Sequence, residues 1–250
     1  SEDPMAAIPG WDGEMIPVPQ TLAEEVGKLR QEIAEELRRD YDPAKVSERL
    51  ANRFSVEPQV LHDAISEVNE HIKRSLPIPT HNRILIEGFD KYLVIHACFG
   101  EVVNKTLGCI FDAILSDHDL ITGWWNNGYR ILIEAPRKLE EYDLNRLPSL
   151  LFALSDEDVD KAFEAYLEAR FPFAYKMKFV AERFGALPRG RTMGPTRLAQ
   201  LPERFRNTPI YEETLREAMI EKVALKSVKT LMAAVKSGQV HVETLLSKDA

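Results

Sequence analysis

Residues 83–135 read RILIEGFDKYLVIHACFGEVVNKTLGCIFDAILSDHDLITGWWNNGYRILIEA, and the fold turns on how they are read. Four short apolar runs lie here, dominated by Val, Ile, Leu and Tyr, which suit a half-buried pleated surface. Runs 83–88 and 91–99 flank Gly88-Phe89-Asp90. Runs 120–125 and 129–135 flank Asn126-Asn127-Gly128, residues that tolerate positive φ and mark a turn. Between the two hairpins Val103, Leu107, Ile110, Phe111, Ile114 and Leu115 recur at helical spacing. Gly100 gives a flexible entry to that helix, and Pro136 ends the last strand. The pattern is β-β-α-β-β, with the helix across one face of an antiparallel or mixed sheet.

Outward from this stretch nearly everything reads as helix. Val18, Leu22, Val26, Leu29, Ile33 and Leu37 mark one amphipathic helix. Asp42-Pro43 starts a second, with aspartate as N-cap and proline at the first helical position; its stripe is Val46, Leu50 and Phe54. A third carries Val60, Leu61, Ile65, Val68 and Ile72. This helix-turn-helix pattern lacks the basic exposed face that a DNA-reading helix needs, since Asp63, Glu67 and Glu70 oppose Lys73 and Arg74, so it reads as a structural hairpin. Downstream, 144–154 is a short apolar helix interrupted by Pro148, and Ser155 caps a helix that runs to Arg170. Pro172 opens another, ending at Gly185, with Phe173, Tyr175, Phe179 and Phe184 mostly in the core and Lys176, Lys178 and Arg183 exposed. Thr208-Pro209 starts a helical region that reaches Lys236, breaks near 223–225 and is closed by Gly238; 240–246 is a final strand on a sheet edge. The expected class is α+β: a small, mostly antiparallel sheet at 83–135 between N-terminal and C-terminal helical segments. The expected organisation is an irregular entry at 1–19, helices at 20–75, the sheet core, and 140–250 as helices with a last strand, all in one integrated domain.

Composition bounds the function. The chain has 250 residues, 44% hydrophobic and 29% charged, ordinary for a soluble protein. No apolar run is long enough to span a membrane and no secretory signal is visible, so no membrane partner is expected. Cys98 and Cys109 sit in apolar runs as buried thiols, which fits a reducing, cytoplasmic setting. The six histidines show no metal-ligand spacing, there is no nucleophile elbow, and no complete phosphate-loop or dinucleotide motif occurs. Residues 100–106 (GEVVNKT) end in Lys-Thr like a phosphate loop, but Asn104 and Phe99 stand where glycine is required. Asn104-Lys105-Thr106 matches a glycosylation sequon by coincidence, inside a helix.

Charge is unevenly spread. Arg170, Lys176, Lys178, Arg183, Arg189, Arg191, Arg197, Arg204 and Arg206 face only Glu182 and Glu203, a local charge of +7 in a chain whose formal charge is −8. Such a patch attracts phosphate without making the whole surface adhesive. Arg189 and Arg191 fall in a Gly/Pro-containing loop at 187–196. The alternative for these residues is a solvated face paired with the acidic remainder. Trp11 lies in a Pro/Gly-rich segment and either docks into a groove of its own domain or offers a stacking platform for a base.

Several motifs carry a resemblance. They are Trp-x-Gly-Glu-x-Ile-Pro-Val-Pro at 11–19 running into 25–30, Leu-Pro-Ile-Pro at 76–79 before the strand 84–87, and Val-Ile-His-Ala-Cys-Phe-Gly at 94–100 with Asn104 and 106–108. Arg-Phe-Gly-Ala-Leu at 183–187 and Thr-Pro-Ile-Tyr-Glu-Glu at 208–213 with 215–217 complete the set. Together, over almost the whole chain, they resemble the C-terminal DEAD/H-associated region of Lhr-type (large helicase-related) superfamily 2 helicases, in a form similar to archaeal members. The resemblance implies a parent that is an ATP-dependent 3′-to-5′ translocase, using ATP and Mg in two RecA-like motor domains followed by a winged helix. The motor motifs are absent here, so it implies a fragment or split subunit that follows a β-rich portion and does not hydrolyse ATP alone. The implied partners are single-stranded DNA or RNA and the motor and winged-helix domains. The residues assigned to the strand are Trp11 for stacking, with Arg189, Arg191 and Arg197, then Lys176 and Lys178, for phosphates. The other reading is a scaffold that docks motor domains or another protein without touching nucleic acid.

Overall fold

The computed structural model describes residues 16–169, 171–220 and 224–247. The first helices are α1 (Gln20–Arg39), α2 (Pro43–Phe54) and α3 (His62–Lys73), with a 3-10 turn at Pro58–Leu61 before α3. Asp42 accepts a hydrogen bond from the Ala44 amide at 3.0 Å, and Pro43 follows it at the helix start. Ile33, Leu37, Val46, Leu50, Leu61, Ile65, Val68 and Ile78 form a core of their own. The first half of α1 departs from the expected stripe. Ala23 and Gly27 face inward, while Leu22 is 52% exposed. The cause is a close approach: a Cβ on Gly27 would lie 2.4 Å from the His81 amide nitrogen. Only small residues let α1 come this near the chain that leads into the sheet. Phe54 and Val60, both expected on inward stripes, are also exposed.

The sheet contains β1 (Arg83–Phe89), β2 (Tyr92–His96), β3 (Gly123–Asn126) and β4 (Arg130–Glu134), with α4 (Glu101–Ser116) between β2 and β3. Its order is β3-β4-β2-β1-β5, where β5 is His241–Leu246. Neighbours among β1 to β4 are antiparallel, and β5 lies parallel to β1 at the far edge. A mostly antiparallel sheet with a C-terminal edge strand was expected; the last strand makes it mixed. The turns differ in detail. The first uses Asp90 at φ 49, so β1 continues to Phe89. The second needs no positive φ at 126–128. Asn127 Oδ1 instead accepts from the amides of Tyr129 (2.9 Å) and Arg130 (2.8 Å). Gly128 is required by contact, because a Cβ there would sit 2.5 Å from Val18 Cβ.

The remaining helices are α5 (Glu141–Phe152), α6 (Asp156–Glu168), α7 (Phe171–Arg183), α8 (Pro195–Ala199), α9 (Leu201–Phe205), α10 (Pro209–Ile220) and α11 (Leu225–Lys236). Helix α5 runs through Pro148 rather than breaking at it. Ser155 caps α6 by accepting from the Asp158 amide at 3.1 Å. Helices α4, α5, α6 and α11 join the sheet in the largest core, built on Phe111, Phe152, Ile84, Ile95 and Leu107. Helices α7 to α10 form a third core around Phe173, Met177, Val180, Leu201 and Tyr211, and Leu167 of α6 packs against both.

Candidate nucleic-acid interface

Helix α7 is the wall on which the candidate site is built, and four of its residues or neighbours, Tyr175, Lys178, Phe179 and Phe184, depart from the faces expected. Phe173 is buried, but Tyr175, Phe179 and Phe184 are exposed. Lys178, expected in solvent, is only 8% exposed and pairs with Glu182 at 2.9 Å. Its ammonium also lies 4.6 Å from the centre of the Phe179 ring. The reason is what α7 must meet. Met177, Val180 and Ala181 fill the contact with α8 to α10, which rolls the neighbouring Lys178–Glu182 edge inward. The pair survives burial because each charge holds the other.

Beside Glu182 lies a groove of about 320 Å³, lined also by Leu187, Met193, Arg191, Arg197 and Arg204. These three arginines come from a loop and two five-residue helices, brought together by the burial of Leu198, Leu201 and Phe205. Among the described residues none of the three meets a carboxylate. The two local acids are engaged elsewhere: Glu182 by Lys178, and Glu203 by Arg206 at 3.0 Å. Arg206 also bridges to Glu168, and that hydrogen bond, then the one to Glu203, raises its pKa. Burial, then hydrogen bonds to Glu168 and Glu164, raises that of the Tyr211 hydroxyl. The groove is therefore a concentration of uncompensated positive charge in a lobe where Lys178, Arg183, Arg206 and Arg216 are ion-paired.

The expected site residues separate into groups. Arg191 and Arg197 line the groove together, and Arg204 joins them. Arg204 was counted in the basic run but not singled out, because no local spacing carries it across the break between α8 and α9. Arg189 is exposed on the loop that forms the rim, outside the lining residues. Lys176 faces a different concavity, with Lys105, Tyr166 and Phe173. Lys178 is a buried partner of Glu182 rather than an exposed cation. Trp11 and Arg170 lie outside the described residues.

The Lys105-Thr106 stretch was the other place where a phosphate could have been sought, and it does not fit ATP or its Mg ion. At the start of α4 the Gly100 amide donates to the Gly128 carbonyl at 3.0 Å and the Glu101 amide to that of Val18 at 2.9 Å. Asn104 is fully buried, and its Nδ2 donates to the carbonyls of Ala97 and Asn127, both at 2.9 Å. Thr106 Oγ1 donates to the Val102 carbonyl and accepts from the Ala224 amide. Amides that would cradle a phosphate are already bonded to protein. The same burial keeps Asn104 from any glycan.

The sequence model of the DEAD/H associated family matches residues 78–249. The chain belongs to that family. The match begins at Ile78, where the α1–α3 bundle gives way to the sheet, so the DEAD/H-associated part comprises the sheet and everything after it. Curated relatives extend over the bundle as well. The ATP-dependent helicase Lhr-Core protein 2 of Thermococcus barophilus is 25% identical over 252 residues, covering 94% of this chain and 28% of its own length. The ATP-dependent helicase Lhr-Core of Methanocaldococcus jannaschii is 24% identical over 259 residues, covering 96% and 28%. Among solved structures, the Mycobacterium smegmatis helicase Lhr bound to ssDNA and AMP-PNP shares the fold, with a TM-score of 0.63 at 17% identity over 96% of this chain and 31% of that one. The resemblance to Lhr helicases thus holds, and this DEAD/H-associated chain spans under a third of the length of the relatives it matches. No helix among the described residues is long and apolar enough to cross a membrane.

Proposed function

We propose that the chain is an accessory module of an Lhr-type, ATP-dependent 3′-to-5′ helicase and lines the path of the single strand. Arg191, Arg197 and Arg204 contact phosphates, and Arg189 reaches the strand from the rim. Lys176 is an outlying contact, and Trp11 is a stacking residue from the entry segment. ATP, Mg and the RecA-like and winged-helix partners belong to other parts of that helicase. The observation that carries this reading is the groove itself: three arginines share one concavity with no carboxylate partner. An arginine without a carboxylate partner keeps its forked donors for an external anion, and phosphate suits them. Lys178 serves the site indirectly. By pairing with Glu182 it cancels the carboxylate in the groove wall, which would otherwise repel a phosphate.

The test is binding of short single-stranded DNA and RNA to the 250-residue chain at low and moderate salt. Steeply salt-sensitive binding that weakens when the groove arginines become alanine is the expected result. Absence of binding at low salt overturns the reading. A scaffold role would then lead, and one feature favours it: Phe54, Val56 and Val60 form exposed apolar surface where α2 meets α3.

A further inference from the structure

Arginines on phosphates do not hold bases. A single strand also presents flat apolar faces, and a protein that binds it without reading sequence offers aromatic rings for them. We propose that Tyr175 and Phe179 form a base-stacking corner on the open flank of the arginine groove. This deepens the phosphate-contact reading above and rests on it.

Three observations lead here. The first is exposure. Phe111, Phe152, Phe163, Phe173 and Phe205 are buried, whereas Tyr175 and Phe179 are 47% and 42% exposed on a single helix. Exposing two large rings one turn apart gives up apolar burial that stability alone would favour. The second is geometry. The ring centres are 4.9 Å apart and the planes meet at 87°, so the pair forms a right-angled corner. A base laid on one ring meets the edge of the other, the arrangement aromatic groups prefer. Lys178, 4.6 Å above the Phe179 ring, holds that ring from the protein side. The third is position. On α7 residues 175 and 179 lie on the ridge next to 178 and 182, each of which follows one of them by three residues. Glu182 of that neighbouring ridge lines the arginine groove. The rings therefore border the groove, with the backbone of a strand over Arg191, Arg197 and Arg204 and its bases turned toward α7.

The experiment compares two probes of about 12 nucleotides, a length within the usual single-strand site size: an oligo(dT) and an abasic oligomer with the same sugar–phosphate backbone. Binding to the full 250-residue chain is followed by anisotropy at several salt concentrations. The wild type is expected to prefer oligo(dT). In the double variant Tyr175→Ala/Phe179→Ala that preference falls to the part that Trp11 carries, oligo(dT) binds about 5- to 100-fold more weakly, and the salt slope is unchanged. Because both rings are exposed, the variant keeps its fold, which circular dichroism checks. The variant Tyr175→Leu/Phe179→Leu retains apolar bulk without a π face and is expected to lose the preference equally. A preference as large as the wild type's in the alanine variant, or full rescue by leucine, overturns the stacking corner while leaving the arginine groove in place. Equal binding of both probes by the wild type also overturns it. Failure of the wild type to bind either probe overturns the groove reading and this one together.

Discussion

In the α1–α3 bundle Arg30 reaches Glu67 at 3.0 Å, Arg49 bridges Glu36 and Asp40, both at 3.0 Å, and Arg53 meets Glu32. Around the groove beside α7, Arg191, Arg197 and Arg204 meet no carboxylate among the described residues. The same residue type is used in two ways, and the supply of acids explains it. The bundle is rich in glutamate on facing helices, so most of its long cations, Arg38 and Arg74 apart, find a partner within reach. The groove segment has two acids, and Lys178 and Arg206 hold both. Exposed pairs like those of the bundle add little stability and are readily screened by salt. Unpaired arginines crowded at one concavity repel each other and add none, and a bound anion would relieve that repulsion.

The largest effect is expected at Lys178. Lys178→Met leaves Glu182 buried and unpaired, and chemical denaturation should show a loss of about 3 kcal/mol. The same variant should weaken oligonucleotide binding, because the groove wall regains a negative charge. Lys178→Met/Glu182→Leu should recover most of the stability, as replacing a buried pair with apolar groups often does. Next in size, Arg191→Ala/Arg197→Ala/Arg204→Ala should reduce single-strand affinity about 100-fold at low salt and flatten the salt dependence by about two units. Its melting temperature should stay at the wild-type value or rise.

The sheet supplies a third way of holding charge and a smaller effect. Glu87 on β1 meets His96 Nε2 at 3.1 Å and accepts from Ser247 Oγ at 2.7 Å. The His96 hydrogen bond, then that of Ser247, lowers the Glu87 pKa from 4.5 to about 2. A carboxylate whose folded pKa is depressed contributes stability above its unfolded value, and that contribution is lost as pH falls from 4.5 toward 2. For a group this open to solvent the loss is about 1 to 2 kcal/mol. Glu87→Gln should flatten the stability curve in that window and leave nucleic-acid binding unchanged. The smallest effect belongs to the bundle. Arg49→Ala should leave both melting temperature and affinity within measurement error, because its partners are exposed. A drop in affinity there would place the nucleic-acid surface on the wrong side of the molecule.

The sheet and α4 were legible because short-range patterns carry them. Alternation places Ile84, Ile86, Leu93 and Ile95 in the core, and helical spacing does the same for Leu107, Ile110 and Phe111. Both hairpins were placed, but not the chemistry of their turns, because Asn127 acts through its side chain and Gly128 through a contact with Val18 more than a hundred residues away. Two of the three groove arginines were singled out from the sequence. They are Arg191 and Arg197, whereas Arg204, counted in the same basic run, joins them only through folding of α8 against α9. The aromatic run of α7 was misread because aromatic residues usually mark a core. The mixed composition of the helix left two arcs that could be buried, and α8 to α10 cover the one that contains Met177 and Val180.

Local pattern was enough for the order of elements other than α8 and α9, the caps at Asp42 and Ser155, the sheet with its crossing helix, and a basic segment in an acidic chain. These follow from backbone hydrogen bonds and side-chain periods that span a few residues. Only the tertiary structure decided which face of α7 meets solvent, that Lys178 neutralises Glu182, and that three arginines share one groove. Coulombic pairing depends on separation in space, and that separation is set only when the helices close on one another.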